Sequence, residues 1–533
     1  MNLLEDVMLV HRNSGRATRA HQPTPAVPDL IETFRRVAAR YPDRVAITAQ
    51  GGELSYGELS RRSNAVAELL GPYPGVVCVL ATHAPATIVG LLGTLLAGGT
   101  YCPLDPGFPV ARQLEMLAAA RAGTVLVTAD GQLAPPVPPG VEVLDIRHEP
   151  VAAEPPRLPD GPEEPAYLLF TSGSTGMPKP VTTPRAAINA TTASLRNLFD
   201  LSPEDRVLQF ASLNWDTAFE EILPALTTGA TLVFDPDAHS GSFHRFLRML
   251  ERQRVSVADL PTAYWHELVL HLSEDEATLP PSVRTVIIGG EAVNPARLAD
   301  WKALRTGHLR LVNTYGCTET TLITHAIDLH GPLAVAADPA EPAIPIGYRL
   351  PHVVEHVTDE GELLIGGPAI ATGYRGMADA TLVKFVRLDL GPASGRFFRT
   401  GDRVRARDDG ALVHAGRLDD EVKVRGIRVN PTEVEAHLTR CPGVAAAAVL
   451  GVTTLGRTTL VAYIVPRTET ADSAAFVERV RADLVDRVPG HLVPGRIIAV
   501  PELVHTASGK VDRRSSHSRY TTALASTTDL GGH

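Results

Sequence analysis

From Leu30 onward, short β-rich runs alternate with helical patterns, which restricts the chain to open α/β sheets flanked by helices. Helix-like Leu30–Arg40 precedes strand-like Val45–Thr48, and helix-like Tyr56–Leu70 precedes strand-like Val76–Leu80. Helix-like Ala111–Ala120 then leads into strand-like Thr124–Val127. At 533 residues the chain is too long for one compact core, so two or more units are expected. The longest apolar stretch, Ile88–Ala97, is too short and too glycine-rich to span a bilayer and reads as a buried helix.

Composition shifts mark the boundaries. Residues 1–28 lack periodicity, end in Pro23, Pro25 and Pro28, and read as a loose extension. The segment Ala134–Glu164 is dense in Pro and Gly and reads as a surface connection. A second boundary falls near Arg417–Asp420, beyond which the pattern restarts with Val422–Val424, Thr432–Arg440, Ala445–Leu450, Leu460–Val465 and Ala474–Arg487. The expected division is a core over 29–418, a small α+β domain over 419–515, and a Ser/Thr-rich tail over 516–533 expected to be disordered.

Sixty acidic against 50 basic side chains give a formal charge of −10, which offers no general attraction for nucleic acid or a membrane surface. The four cysteines are far apart and form no CxxC pair, so neither a zinc ribbon nor a disulfide framework is indicated. They fit a reducing cytoplasm, and the charged first residues do not read as a signal peptide.

The strongest chemical signal is YLLFTSGSTGMPK over Tyr167–Lys179. An apolar strand runs into a loop of Thr171, Ser172, Gly173, Ser174, Thr175 and Gly176, followed by Lys179. Small residues let backbone N–H groups approach an anion, hydroxyls add donors, and the lysine adds a point charge. The spacing differs from the Walker A pattern.

This run resembles the phosphate loop of the acyl-adenylate-forming superfamily, in particular the adenylation domains of non-ribosomal peptide synthetases. The family's other motifs occur in the family's order on both sides of it: LSYGEL, LAGGTYCPLD, NWDTAFEE, NTYGCTET, GELLIGGPAIATGY, FRTGD, GRLDDEVKVRGIRVNPTEVE, VPGHLVP and SGKVDR, together spanning Leu54–Arg513. The implied architecture is a core of two α/β subdomains plus a small β-barrel-like piece, covered by a mobile C-terminal lid. The implied cofactors are ATP and Mg²⁺. Departures are Pro180 after the loop lysine, Cys317 where Pro is usual, and Ser508 where Asn is common.

The resemblance assigns roles position by position. Glu319 would hold Mg²⁺, a hard cation that takes oxygen ligands. Tyr315 would stack on adenine, with Gly290, Gly316 and Thr318 beside the nucleotide. Asp402 would bind the ribose hydroxyls, and Arg417 the neighbouring oxygens. Lys510 would stabilise charge building on the α-phosphate. Asp419 would be the hinge of the lid, and Gly426 would face the pantetheine arm once the lid has turned.

Asp216 and Glu220 lie four apart on a helical pattern, which puts both carboxylates on one face. Acidic pairs are ordinarily solvated, but the apolar runs Leu208–Leu213 and Ile222–Leu226 favour burial here. Asp259 ends a strand-like run just before Pro261. By resemblance all three line the amino-acid pocket, with Thr217, Ile287, Gly289, Thr314, Leu322 and Ile323, closed by Lys510. Buried carboxylates call for cations, so a diamino acid is expected: one acid for the near amine, two for a distal ammonium. The set is similar to that of members activating β-lysine, which ranks β-lysine above α-lysine and ornithine. The expected acceptor is a phosphopantetheinylated carrier protein in trans, since only about twenty residues follow the closing lysine motif. A helper protein of the MbtH type is a further possible partner. A coenzyme A ligase and a catalytically dead binding protein are the alternatives.

Overall fold

A computed structural model describes residues 27–128, 137–146, 161, 164–173, 178–334, 343–424, 426–454, 457–468, 472–505 and 511–528. Local signals set the first elements. Asp29 caps the helix Leu30–Arg40 by accepting the Ile31 and Glu32 N–H groups, and Leu30, Ile31, Phe34 and Ala38 form its buried stripe. Ser55 caps Tyr56–Leu70 in the same way. Pro85–Leu96 is buried along most of its length, as its apolar sequence requires.

The core holds two large sheets. One has seven strands and includes the parallel set Val76–Leu80, Thr100–Leu104 and Pro165–Thr171. The other has nine, with parallel Val257–Pro261, Thr285–Gly289 and Arg310–Gly316 side by side. Helices between the sheets, notably Thr217–Thr228, contribute to one continuous hydrophobic core. A five-stranded antiparallel sheet is built around the long strand Gly395–Ala406. The architecture is thus α/β, two large sheets plus a small antiparallel one, followed by a smaller α+β unit.

That smaller unit has its own core, from Val424 through Leu438 and Ile464 to Ile497. The last strand of the large region, Leu412–Arg417, pairs with Gly395–Ala406, whereas Val422–Val424 pairs with Ile427–Val429. Two expectations need correction. The Pro/Gly-rich stretch 134–164 contains a strand, Glu142–Asp145, parallel to Thr124–Val127. The tail expected to be disordered is helical over Arg513–Thr528. Tertiary contacts override its polar composition: Arg513 pairs with Glu435, Ser516 is buried, and His517 meets the Tyr463 hydroxyl at 2.8 Å. The extension 1–26 and Lys510 lie outside the described residues.

Candidate active site

In an open α/β sheet, ligands bind at the carboxyl ends of the strands. Here Val257–Pro261, Thr285–Gly289 and Arg310–Gly316 end together, and register sets Pro261, Gly289 and Thr314 in one row. A cavity of about 190 Å³ opens at these ends. Its wall includes Asp216, Thr217, Glu220, Asp259, Gly289, Thr314, Leu322 and Ile323. Thr171, Gly290, Gly316, Thr318 and Glu319 line the same space. Ile287 does not: it is buried in the core behind the wall, paired in register with Asp259. A larger hollow of about 400 Å³, between Leu30–Arg40 and Arg196, has no such convergence of acidic groups.

The cavity is strongly acidic. Asp216 stands at the N-cap position of Thr217–Thr228 but makes no side-chain cap bond. Burial raises its carboxyl pKa, Thr318 offsets part of this, and the Glu319 charge adds to it. Glu220 is pushed well up by burial, then by the charges of Asp259, Asp216 and Glu221. Burial pushes Asp259 up to about 7, and its Oδ2 has no hydrogen-bond partner among the described residues. Nor is any of the three ion-paired with a described Lys or Arg. The helix N-terminus beside Asp216 favours negative charge there. Glu221, which the motif reading passed over, is tied back instead: it accepts from the Phe210 and Ala211 N–H groups and from Gln209, each at 3.0 Å, and so fixes the segment entering the cavity wall.

The residues that the motifs assign to the nucleotide form a linked set. The Tyr315 hydroxyl donates to Asp402 Oδ2 at 2.6 Å, while His414 and Arg417 donate to Oδ1 at 3.1 and 2.6 Å. Burial alone would raise the Asp402 carboxyl, but His414, Arg417, Lys423 and Tyr315 hold it well below the usual carboxylate range. Arg417 also donates to Asp419 at 2.6 and 2.8 Å and to Glu421 at 2.8 Å. Lys179 is buried with its ammonium 5.3 Å from the Tyr374 ring centre, and burial lowers its pKa against the pull of Glu319. Glu319 accepts from Tyr374 at 2.8 Å and from Arg428 at 3.4 Å. Burial opposes its ionisation, yet Arg428, Tyr374 and Lys179 outweigh burial and hold its pKa low. An ionised, buried oxygen donor suits a hard divalent cation. Ser172 and Gly173 are described; Ser174, Thr175, Gly176 and Lys510 are not.

The small unit sits over this site. Lys423, Gly426, Ile427 and Arg428 complete the cavity wall, and Lys423 lies 5.7 Å from the Tyr315 ring centre. Gly426, at φ +81°, donates its N–H to Glu291 at 2.5 Å, and its Cα lies 3.4 Å from where a Cβ on Gly290 would stand. Arg428 and Lys423 were not singled out from the sequence, although both lie within the GRLDDEVKVRGIRV run.

The family model described as AMP-binding enzyme matches residues 34–375, and the one described as its C-terminal domain matches 433–510. The chain belongs to the AMP-binding enzyme family. It is 39% identical over 490 residues to an isonitrile lipopeptide synthase of Streptomyces coeruleorubidus, covering 90% of this chain and 32% of that one. It is 32% identical over 544 residues to a dimodular nonribosomal peptide synthase of Bacillus subtilis (strain 168), covering 96% and 22%. The chain therefore spans about a third or less of the length of these two relatives. Among solved structures, holo-PA1221, an NRPS protein containing adenylation and PCP domains, matches with TM-score 0.78 and 27% identity over 93% of this chain and 84% of that one. The amide bond synthetase McbA from Marinactinospora thermotolerans matches with TM-score 0.75 and 27% identity, covering 92% and 99%. Within the AMP-binding enzymes this chain is an AMP-forming ligase of the adenylation-domain type. Among the described residues no helix is long and apolar enough to cross a membrane.

Proposed function

We propose that this AMP-binding enzyme activates a diamino acid, β-lysine first among candidates, and passes it to a carrier thiol in the assembly of a peptide antibiotic. The substrate carboxylate oxygen attacks the α-phosphorus of ATP, the bond to pyrophosphate breaks, and an aminoacyl adenylate results. A phosphopantetheine sulfur of a carrier protein then attacks the acyl carbon, and AMP leaves. Mg²⁺, held by Glu319, would neutralise phosphate charge. Lys510 would meet charge building at the α-phosphate, and Asp419 would be the pivot between the two steps. The setting is the cytoplasm, and an MbtH-like helper is a candidate partner.

The observation carrying the substrate class is the group of three carboxylates on one cavity wall, with Asp259 Oδ2 lacking a partner among the described residues. Buried anions without cations are costly, and a dicationic chain supplies two. Leu322 and Ile323 give the methylenes an apolar wall. The preference for the β isomer rests on the resemblance of the pocket set. The alternative acceptor is coenzyme A, since the fold is shared with such ligases.

ATP–pyrophosphate exchange with β-lysine, α-lysine, ornithine and leucine side by side tests the substrate. A preference for leucine overturns the diamino reading, and a preference for α-lysine overturns only the ranking. Loading of a carrier protein against free coenzyme A tests the acceptor.

A further inference from the structure

The helices Phe243–Arg252 and Thr262–Glu274 share one hydrophobic cluster through Phe246, Met249, Trp265 and Leu268. That packing gathers three metal-ligating side chains that the proposed reaction does not use. Asp275, the C-cap of Thr262–Glu274, stands one turn beyond His271, and its N–H is bonded to the His271 carbonyl. Positions four apart lie on one face. Asp275 Oδ2 is 3.1 Å from His271 Nδ1 and 3.5 Å from Nε2 of His244, which the other helix carries. One donor atom from each of the three residues lies within 4.8 Å of the others. Two ligands each about 2.0 Å from a tetrahedral ion stand about 3.3 Å apart, and the two Asp275 separations bracket that value. Phe243 stacks on the His271 ring at 5.3 Å and 26°, which fixes its plane. His271 Nε2 is buried with no hydrogen-bond partner among the described residues. Nothing described therefore ties Nε2, so the proton of the neutral ring can sit there and leave the Nδ1 lone pair for a metal.

We propose that His244, His271 and Asp275 form a binding site for a borderline divalent ion of the Zn²⁺ class, which clasps the two helices together. The donor set decides the class. Two imidazole nitrogens and one carboxylate suit Zn²⁺, Co²⁺ or Ni²⁺, whereas Mg²⁺ and Ca²⁺ take oxygen ligands. The C-terminal end of Thr262–Glu274 favours a cation. The first turn of Phe243–Arg252, which carries His244, disfavours one, so the Asp275 carboxylate is needed for charge balance. His244 is exposed, and water completes the tetrahedron on that side. The site is separate from the reaction centre: Thr262 follows Pro261 of the cavity wall, and about 13 Å of helix separates Thr262 from His271.

The test uses the full chain, stripped of metal with a chelator and titrated with Zn²⁺ at constant pH against a chromophoric competitor, beside His244→Gln and Asp275→Asn. Both positions are exposed, so each variant should keep the metal-free thermal midpoint of the wild type. Other Zn²⁺-binding groups, the cavity carboxylates among them, are common to all three proteins, so the difference isolates this site. Wild type should bind one Zn²⁺ more than either variant, or bind that ion at least about tenfold tighter. Zn²⁺ should also raise its thermal midpoint by a few degrees more than theirs. Millimolar Mg²⁺ should leave the ion in place, and anomalous diffraction at the zinc edge should locate it between the two helices. Equal Zn²⁺ binding by wild type and both variants, displacement by Mg²⁺, or zinc found only elsewhere overturns the proposal.

Discussion

Asp259, at the end of its strand, and Glu220, in the first turn of Thr217–Thr228, share one cavity wall, and the Asp259 charge adds to burial in pushing the Glu220 carboxyl well above its ordinary range. Neither is paired with a described cation. The first prediction follows from the Asp259 pKa of about 7. Its folded value lies above its unfolded one, so the stability it contributes is full at low pH and is lost as pH rises through about 7. Binding of a cation has the opposite sign, because it needs the carboxylate. The KM for a diamino substrate should fall between pH 6 and 8, while the thermal midpoint of the free enzyme also falls. Asp259→Asn should flatten both trends and raise KM at pH 8 by about 10- to 100-fold, the loss of a charge-assisted hydrogen bond. A variant with unchanged pH dependence of KM removes Asp259 from the distal subsite.

Much of this site was legible because its parts are local. Strand, loop and lysine adjoin at Tyr167–Lys179, and the four-residue spacing of Asp216 and Glu220 needs only helical geometry. The strands and helices bounded by caps and apolar runs fall where periodicity puts them. Positions fixed by long-range contact were less accessible. Ile287 and Gly289 share a strand face, but only packing decides that Ile287 goes into the core while Gly289 meets the cavity. The helix Arg513–Thr528 is polar and has no apolar stripe to announce it; contacts with Glu435 and Tyr463 hold it. The insertion of Arg428 into the core's site depends on how two units dock, which no local pattern encodes.

The second prediction concerns Gly289. The sequence reading has it leave room for a long substrate. The structure gives a nearer reason: a Cβ there would stand 2.4 Å from Thr314 Oγ1 and 3.2 Å from the Thr314 carbonyl oxygen. Thr314 cannot simply yield, because its hydroxyl donates to the Ile288 carbonyl at 3.1 Å. Gly289→Ala should therefore depress exchange with every amino acid by about tenfold or more and lower the thermal midpoint by a few degrees. A variant that only shifts preference toward shorter substrates would show that Gly289 acts as a length gate instead.

The third prediction concerns Asp419, which accepts from Arg417 while Arg417 also holds Asp402. Proline at 419 fixes φ and removes the carboxylate together. Asp419→Pro should block transfer to the carrier by about two orders of magnitude or more and reduce exchange far less. Asp419→Ala, which removes the partner of Arg417, Lys384 and the Glu421 N–H but leaves φ free, should mildly weaken both half-reactions. If Pro and Ala behave alike, the position is an electrostatic brace and not a pivot.

The last prediction is Lys510→Ala. Lys510 lies outside the described residues, and its role comes from the SGKVDR motif. In the described arrangement Lys423, Gly426 and Arg428 of the small unit line the cavity. The resemblance implies that the lid takes one position for adenylation and another for transfer, and this separates the two steps experimentally. Lys510→Ala should slow adenylate formation, read by exchange, by about two to four orders of magnitude, since a developing charge loses its partner. Thioester formation from a supplied aminoacyl adenylate should change less than about threefold, because Lys423 and Arg428 remain at the site. Lys423→Ala should show the reverse pattern, with exchange largely kept and transfer reduced. Equal losses in both half-reactions for both variants would mean that one arrangement of the small unit serves both steps, and the assignment of Lys510 to the first would fall with it.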